Sequence, residues 1–246
     1  MSLHVPEDPR AAALADGLEK VRQRIAAVCG VAGRSPDEVT IVGVTKTYPA
    51  DDVVRLAGLG ITEVGENRDQ EAAGKAAEVA EAGAMVTWHF VGRLQRNKCR
   101  SVVQYAGVVH SIDRVSLATA LGDAAGRARE VPLDALVQVS LDGDPARSGA
   151  VADGGDPETD LDRVLAAVAG QSALRLRGLM VVAPREWEPR AAFSRFQEVL
   201  GRCRTAYPQL TWASAGMSSD MESAIEHGST HVRVGSALLG KRAPLR

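Results

Sequence analysis

Lys46 closes an apolar, β-branched run, Val39-Thr40-Ile41-Val42-Gly43-Val44-Thr45-Lys46, and is followed at once by Thr47-Tyr48-Pro49. An amine held at the end of a buried strand loses part of its hydration, which favours the neutral form and makes it a nucleophile toward a carbonyl carbon. The same position also suits a lysine that merely solvates a strand end. Far downstream, Ser214-Ala215-Gly216-Met217-Ser218-Ser219-Asp220 runs into Met221-Glu222-Ser223-Ala224-Ile225, and Arg233-Val234-Gly235-Ser236-Ala237-Leu238 follows. Glycine at 216 and 235 lets backbone N–H groups approach an anion, the hydroxyls of Ser214, Ser218 and Ser236 can donate, and a helix start adds a favourable dipole. Either segment alone is explained by helix N-caps and turn glycines. Together they point to a phosphate.

For residue 46 and residues 214–236 to share a pocket, the fold must set an early strand beside late ones. Strand-like runs are predicted at 40–45, 62–64, 87–91, 107–111, 135–140, 176–182, 210–214 and 231–234. An opening helix over about residues 9–28 precedes them, and segments long enough for crossover helices lie at 50–59, 69–82, 95–104, 115–129, 159–169, 187–206 and 221–227. Eight strands separated by helices imply right-handed βαβ units, and hence an α/β fold with one parallel sheet closed as a (β/α)8 TIM-type barrel with an extra N-terminal helix. A doubly wound sheet is the alternative. The Gly/Asp/Pro-rich stretch 142–160 reads as a loop, because the alternation continues on both sides of it. In a barrel, sites sit at the C-terminal ends of strands and phosphate is often held after the seventh and eighth strands, where the two small-residue loops fall. Period two along the first strand puts Val42, Val44 and Lys46 on one face; if the valines fill the interior, the lysine points into the C-terminal mouth.

Composition agrees with one large core. A chain of 246 residues matches a single barrel of about 250 residues, so residues 1–246 are expected to form one domain. The net charge of -2 gives no field for a nucleic acid or an anionic membrane, and no run approaches the roughly 20 apolar residues of a membrane span. Cys29, Cys99 and Cys203 are isolated, without CxxC or a His cluster, so neither disulfides nor a metal site are expected. The segment 1–10 carries Pro6 and Pro9 among charges and lacks an apolar core, which points to an unsecreted, cytoplasmic protein.

An amine and a phosphate cradle in one pocket suit a phosphorylated aldehyde bound as an imine, namely pyridoxal 5'-phosphate (PLP); a phosphosugar using Lys46 transiently is the competing chemistry. The motifs Val44-Thr45-Lys46-Thr47, Gly65-Glu66-Asn67, Trp88 to Lys98 (WHFVGRLQRNK), His110-Ser111-Ile112-Asp113, Gly178-Leu179-Met180, Gly216 to Asp220 (GMSSD) and Val232-Arg233-Val234-Gly235 resemble those of the PLP homeostasis protein family (YggS/PROSC-like), in the same order. The resemblance spans about residue 39 to the end. It implies a barrel similar to the N-terminal domain of alanine racemase (PLP fold type III), with PLP as a Schiff base on Lys46. It also implies a carrier or buffer role in vitamin B6 and amino-acid balance without established turnover.

Carried over by position, Ser214, Gly216 and Ser218, with Gly235 and Ser236, match the phosphate loops. Arg233 matches an arginine beside the cofactor, facing its ring nitrogen or its phosphate. Asn67 resembles a polar group near the cofactor, or else caps the helix that starts at Arg68. Ala215 departs from the family's Met, and Arg147-Ser148-Gly149 keeps the cation of a Lys-Ser-Gly loop but not a lysine's chemistry.

Arg93, Arg96, Lys98 and Arg100 form a basic cluster without interleaved aromatics, which suits a solvated helix start or an anion contact better than nucleic acid. His89 reads as a hydrogen-bonded core histidine. Three functions follow. The first is a monomeric PLP-binding homeostasis protein that passes its cofactor to PLP-dependent apo-enzymes. The second is a PLP-dependent racemase working through Tyr48 or His89, for which the chain is expected to be too short to carry the racemase's C-terminal β domain. The third is a phosphosugar aldolase or isomerase.

Overall fold

The computed structural model describes residues 8–144, 146–154 and 156–240. The charged segment 1–7 and the residues that follow Gly240 lie outside the described residues. Helix α1 (Pro9–Ala32) starts where Asp8 accepts hydrogen bonds from the N–H groups of Arg10 and Ala11, and ends at Gly33, whose φ of 66° suits a left-handed cap. Its apolar stripe, Leu14, Leu18, Val21, Ile25 and Val28, recurs every three or four residues and is buried against Met221, Ile225, Leu238 and Leu239. The extra helix therefore covers the outer wall behind the last strands.

Eight parallel strands form the barrel: β1 (Thr40–Val44), β2 (Glu63–Glu66), β3 (Thr87–Phe90), β4 (Ala106–Ile112), β5 (Leu133–Ser140), β7 (Leu174–Val181), β8 (Trp212–Met217) and β9 (His231–Val234), with the short β6 (Ala150–Val151) added beside the end of β5. Hydrogen bonding runs β4-β3-β2-β1-β9-β8-β7-β5 and returns through β4–β5, which closes the ring. Between the strands lie α2 (Ala50–Gly58), α3 (Asp69–Glu81), α4 (Cys99–Tyr105), α5 (Val115–Ala128), α6 (Leu161–Ala169), α7 (Pro189–Ala206) and α8 (Met221–Glu226), and α9 (Ser236–Leu239) follows β9.

Two expectations from sequence shift. The stretch 142–160 contains β6, whose two residues pair with Val139 and Ser140; so short a strand leaves no period to read. Strand β8 begins two residues later than expected and runs through Ala215 and Gly216 to Met217, with its register broken between Ser214 and Met217. The first small-residue loop therefore starts inside a bulged strand, and Gly216, at φ 90°, supplies the backbone conformation the bulge needs.

Alternate strand positions face the helices and the interior. Trp88 and Phe90 pack outward, whereas Val108, Leu136 and Met180 form an interior cluster with Trp212. Val42 and Val44 approach Gly65 closely enough that a Cβ there would meet them at 3.2 and 3.3 Å. Close approach is tightest at Gly178, where a Cβ would sit 1.8 Å from the carbonyl oxygen of Trp212 on the neighbouring strand. Gly178→Ala is expected to destabilise the barrel by about 3 kcal/mol, through β7–β8 separation. A midpoint in urea equal to that of the parent chain would show that the two strands can part without cost.

Candidate cofactor site

Lys46 lies two residues beyond β1, half-buried, in the turn that leads to α2. Helix α3 clamps the backbone on both sides of it. Thr45 is buried and donates its hydroxyl to Glu66 Oε1 at 2.7 Å. Lys75 Nζ donates to Glu66 Oε1 at 2.6 Å, to the Thr45 carbonyl at 2.9 Å and to Glu71 Oε1 at 3.2 Å. Glu71 in turn accepts the N–H of Thr47. Thr47 has a φ of 69°, a left-handed conformation that a β-branched residue holds only when its surroundings impose it, and the Glu71 carboxylate does so. Burial pushes the Glu66 carboxyl above the usual range, against the pull of Lys75 and Thr45.

The two small-residue loops meet beside this turn. Strands β1 and β9 are neighbours, with Val42 opposite Arg233 and Gly43 opposite Val234. A Cβ at Gly235 would lie 3.5 Å from the Val44 carbonyl oxygen. Ser218 Oγ accepts the N–H of Ala237 at 3.3 Å, which stitches one loop to the other. The N–H groups of Ser218, Ser219 and Ser236 have no acceptor among the described residues. Tyr48 donates its hydroxyl to the Gly240 carbonyl at 2.8 Å, so the lysine turn is also tied to the end of α9.

Arg233, 5 % exposed, donates from one nitrogen to Ser214 Oγ at 2.7 Å and from another to the Val181 carbonyl at 2.8 Å. Burial lowers its pKa to about 10 against the pull of the Asp220 charge, so it remains a cation at neutral pH, and no carboxylate lies within ion-pair distance of it among the described residues. Ser214 is fully buried and also bonds His110 Nδ1 at 2.9 Å. The chain continues from His110 Nε2 to His89 Nδ1 at 2.7 Å and from His89 Nε2 to Glu63 Oε2 at 2.5 Å. Burial pushes Glu63 up, but the bond from His89, together with the electrostatic pull of His89 and His231 and a bond from Thr87, outweighs it and holds the carboxyl below the usual range. One direction of donation satisfies all four contacts, from Arg233 to Ser214, Ser214 to His110, His110 Nε2 to His89 and His89 Nε2 to the Glu63 carboxylate.

The histidines make stability pH-dependent. His110 is pushed well below 6.5 and His231 down to about 4, by burial first and then by repulsion from His89. Both stay neutral in the fold and take up protons on unfolding, so between about pH 4 and 6.5 the unfolded chain binds more protons and stability falls as pH drops. Going from pH 7 to pH 5 is expected to cost about 2 kcal/mol through His231, with His110 adding a cost of the same sign, measured from urea midpoints. A flat profile would mean the rings are already charged in the fold.

Of the residues read from sequence, Lys46, Ser218, Gly235 and Ser236 gather at the C-terminal rim, with Gly216 in the bulge below and Ser214 and Arg233 beneath them inside the barrel. The Ser214 hydroxyl, offered by the sequence as a phosphate donor, is already shared between Arg233 and His110. Asn67 does not cap α3, whose N-cap is Arg68; it lines a cavity of about 460 Å³ with Phe90, Arg93 and Lys98. His89 is the hydrogen-bonded core histidine expected. Glu63 and Lys75 went unread, and Glu66 and His110 were read only as members of family motifs, with no role. Their signal was weak but present: Glu63, His89, His110, Ser214 and Arg233 occupy inward strand positions where apolar residues belong, and Lys75 shares the buried stripe of α3 with Ala72 and Val79.

The model of the alanine racemase N-terminal domain family matches residues 17–243, nearly the whole of this parallel barrel. An alanine racemase from Corynebacterium glutamicum shares the fold, with a TM-score of 0.68 at 14 % identity over 96 % of this chain and 63 % of that one. Within this class, the pyridoxal phosphate homeostasis protein of Mycobacterium tuberculosis strain H37Rv is 44 % identical over 246 aligned residues, covering 95 % of this chain and 94 % of the relative. PipY of Synechococcus elongatus, solved with PLP bound, superposes with a TM-score of 0.77 at 32 % identity, covering 92 % of this chain and all of that one. The chain belongs to the pyridoxal phosphate homeostasis protein family.

Proposed function

We propose that the protein binds PLP covalently through Lys46 and serves PLP homeostasis, as a monomeric cytoplasmic carrier that passes the cofactor to PLP-dependent apo-enzymes. The observation that carries this reading is the buried Arg233 cation, which lacks a carboxylate partner among the described residues and sits on the strand hydrogen-bonded to the one that leads to Lys46. The donor set fits PLP: an amine for the aldehyde, unspent N–H groups at Ser218, Ser219 and Ser236 with Gly216 and Gly235 for the phosphate, and a cation for an electron-rich ring atom or a phosphate oxygen. When bound, PLP supplies an aldehyde carbon open to an amine and a ring that can delocalise charge. Arg233, if placed at the ring nitrogen, holds that nitrogen free of a proton, which suits storage better than carbanion chemistry. Asn67 stands at the rim as a secondary contact.

The racemase reading draws no support from Tyr48 or His89. Tyr48 spends its proton on Gly240, and His89 lies inside the barrel between His110 and Glu63. The test of the leading reading is an absorption spectrum of purified protein with PLP, before and after borohydride. A visible band that borohydride bleaches while fixing the cofactor to the chain supports it, and a protein that stays colourless in excess PLP overturns it. Arg233→Gln is expected to weaken PLP retention about tenfold or to move the band, by loss of one charge-assisted contact. An unchanged spectrum and affinity would remove Arg233 from the site.

A further inference from the structure

The loop after β3 and the facing sides of α4 and α5 enclose a cleft of about 1140 Å³, lined by Arg93, Arg96, Arg100, Arg114 and Arg127, with Asp123 also on its wall. Arg114 is occupied, donating to the Asp113 carboxylate and to the Leu94 carbonyl, so it ties two loops together. For Arg93, Arg96, Arg100 and Arg127, no carboxylate lies within ion-pair distance among the described residues. Uncompensated guanidiniums crowd one side of a chain whose net charge is -2, so the cleft is a local feature and not a sample of the whole surface.

The cleft is one stretch of a longer groove. At its upper end Arg93, Leu94 and Gln95 are shared with the cavity that holds Asn67, which follows β2, the hydrogen-bonded neighbour of the strand leading to Lys46. At its lower end Arg100, Ala124 and Arg127 continue into a depression of about 350 Å³ along α4 and α5. A groove thus runs from the rim at the lysine's end of the barrel down the outer helices; its upper cavity is mixed in charge, with Asp69 and Glu71 beside Arg68 and Lys98, and it becomes basic from Arg93 downward through Arg96, Arg100 and Arg127. Its concave shape does not match a planar bilayer, and among the residues lining the cleft there is no aromatic ring on which a nucleic-acid base could stack. Planar guanidinium forks match carboxylates, and a row of them matches an extended acidic segment.

We propose that this groove docks an acidic, extended segment of the protein that receives PLP, bringing the acceptor's cofactor pocket to the rim beside Lys46. The proposal rests on the carrier reading for the acceptor's identity, while the binding of acidic chain by the groove is measurable on cofactor-free protein. Exposed charges of this kind act on encounter rate and are screened by salt.

The test uses Arg96→Glu/Arg100→Glu and Arg127→Glu, surface changes outside the PLP site, in the full chain. Fluorescein-labelled deca-glutamate should bind the cofactor-free parent protein at 50 mM salt, at least tenfold more weakly to the double variant, and with little difference between them at 500 mM. Transfer of PLP from the loaded protein to an aminotransferase stripped of its cofactor should slow at least fivefold in the variants at low salt, with the visible band and melting temperature unchanged. Equal peptide binding by parent and variants overturns the proposal, as does tighter binding of deca-thymidylate or of phosphatidylserine vesicles than of the peptide. A colourless parent protein that still binds deca-glutamate through these arginines overturns the carrier reading and the acceptor's identity, and leaves an acidic-segment groove. A coloured parent that ignores the peptide overturns the groove alone.

Discussion

Lys46→Ala is expected to fold like the parent chain and to remain colourless in PLP. The side chain is half-buried and stands in a turn whose shape is imposed by α3, so its loss should change stability by no more than about 1 kcal/mol. What it removes is the amine. The loops at Ser218 and Ser236 and the Arg233 cation persist, so the variant should still compete for PLP weakly and reversibly, with no visible band and no adduct after borohydride. A band of parental intensity would place the covalent bond on another lysine; the buried Lys75, bonded to Thr45, Glu66 and Glu71, would be the first to test.

Lys75→Met should have the largest effect on stability. Lys75 is 6 % exposed and Glu66 fully buried, and their pair sits behind the turn that carries Lys46. Removing the ammonium leaves a buried carboxylate whose second oxygen, Glu66 Oε2, already lacks a partner among the described residues. Breaking such a pair costs about 3–5 kcal/mol, whereas replacing both members by apolar side chains of similar volume costs much less. The double variant Lys75→Met/Glu66→Leu should therefore recover most of the urea midpoint. It should not recover PLP binding, because the Thr45 carbonyl loses its donor and Glu71 loses the ammonium that helps hold it against the strained Thr47 backbone. Full recovery of both would show that the pair serves packing and leaves the lysine turn alone.

Much of this was legible in the sequence, and the reason is periodicity. Strands such as β1, β3 and β9 announce themselves because β-branched and aromatic residues alternate over four or five positions between helices of clear period, and eight of them admit few closures. The rim residues were legible because glycine and serine recur in two late loops, and small residues there let N–H groups approach an anion; the structure brings the two loops together through Ser218 and Ala237. What stayed hidden depends on partners far apart in sequence. His110 and Ser214 are 104 residues apart, and nothing local says that their side chains meet inside a barrel. The sequence offered the Ser214 hydroxyl to a phosphate, and could not show that it bonds His110 and Arg233 inside the barrel. Lys75 was hidden for a different reason: in an alanine-rich helix one lysine reads as solvated, and only the position of Glu66, nine residues earlier on β2, turns it inward.

The first and last strands of the barrel, β1 and β9, lie side by side, with Thr40 opposite His231 and Val42 opposite Arg233. During synthesis, Lys46 leaves the ribosome almost two hundred residues before the strand that must flank it. Until β9 is made and has docked, the lysine has no arginine beneath it and no second loop to hold a phosphate, and closing so long a span is slow. On the proposed role of Lys46, cofactor capture would report docking of β9: truncated or stalled products should carry an intact Lys46 and yet scavenge no PLP, sparing the cell's free cofactor from unfinished protein.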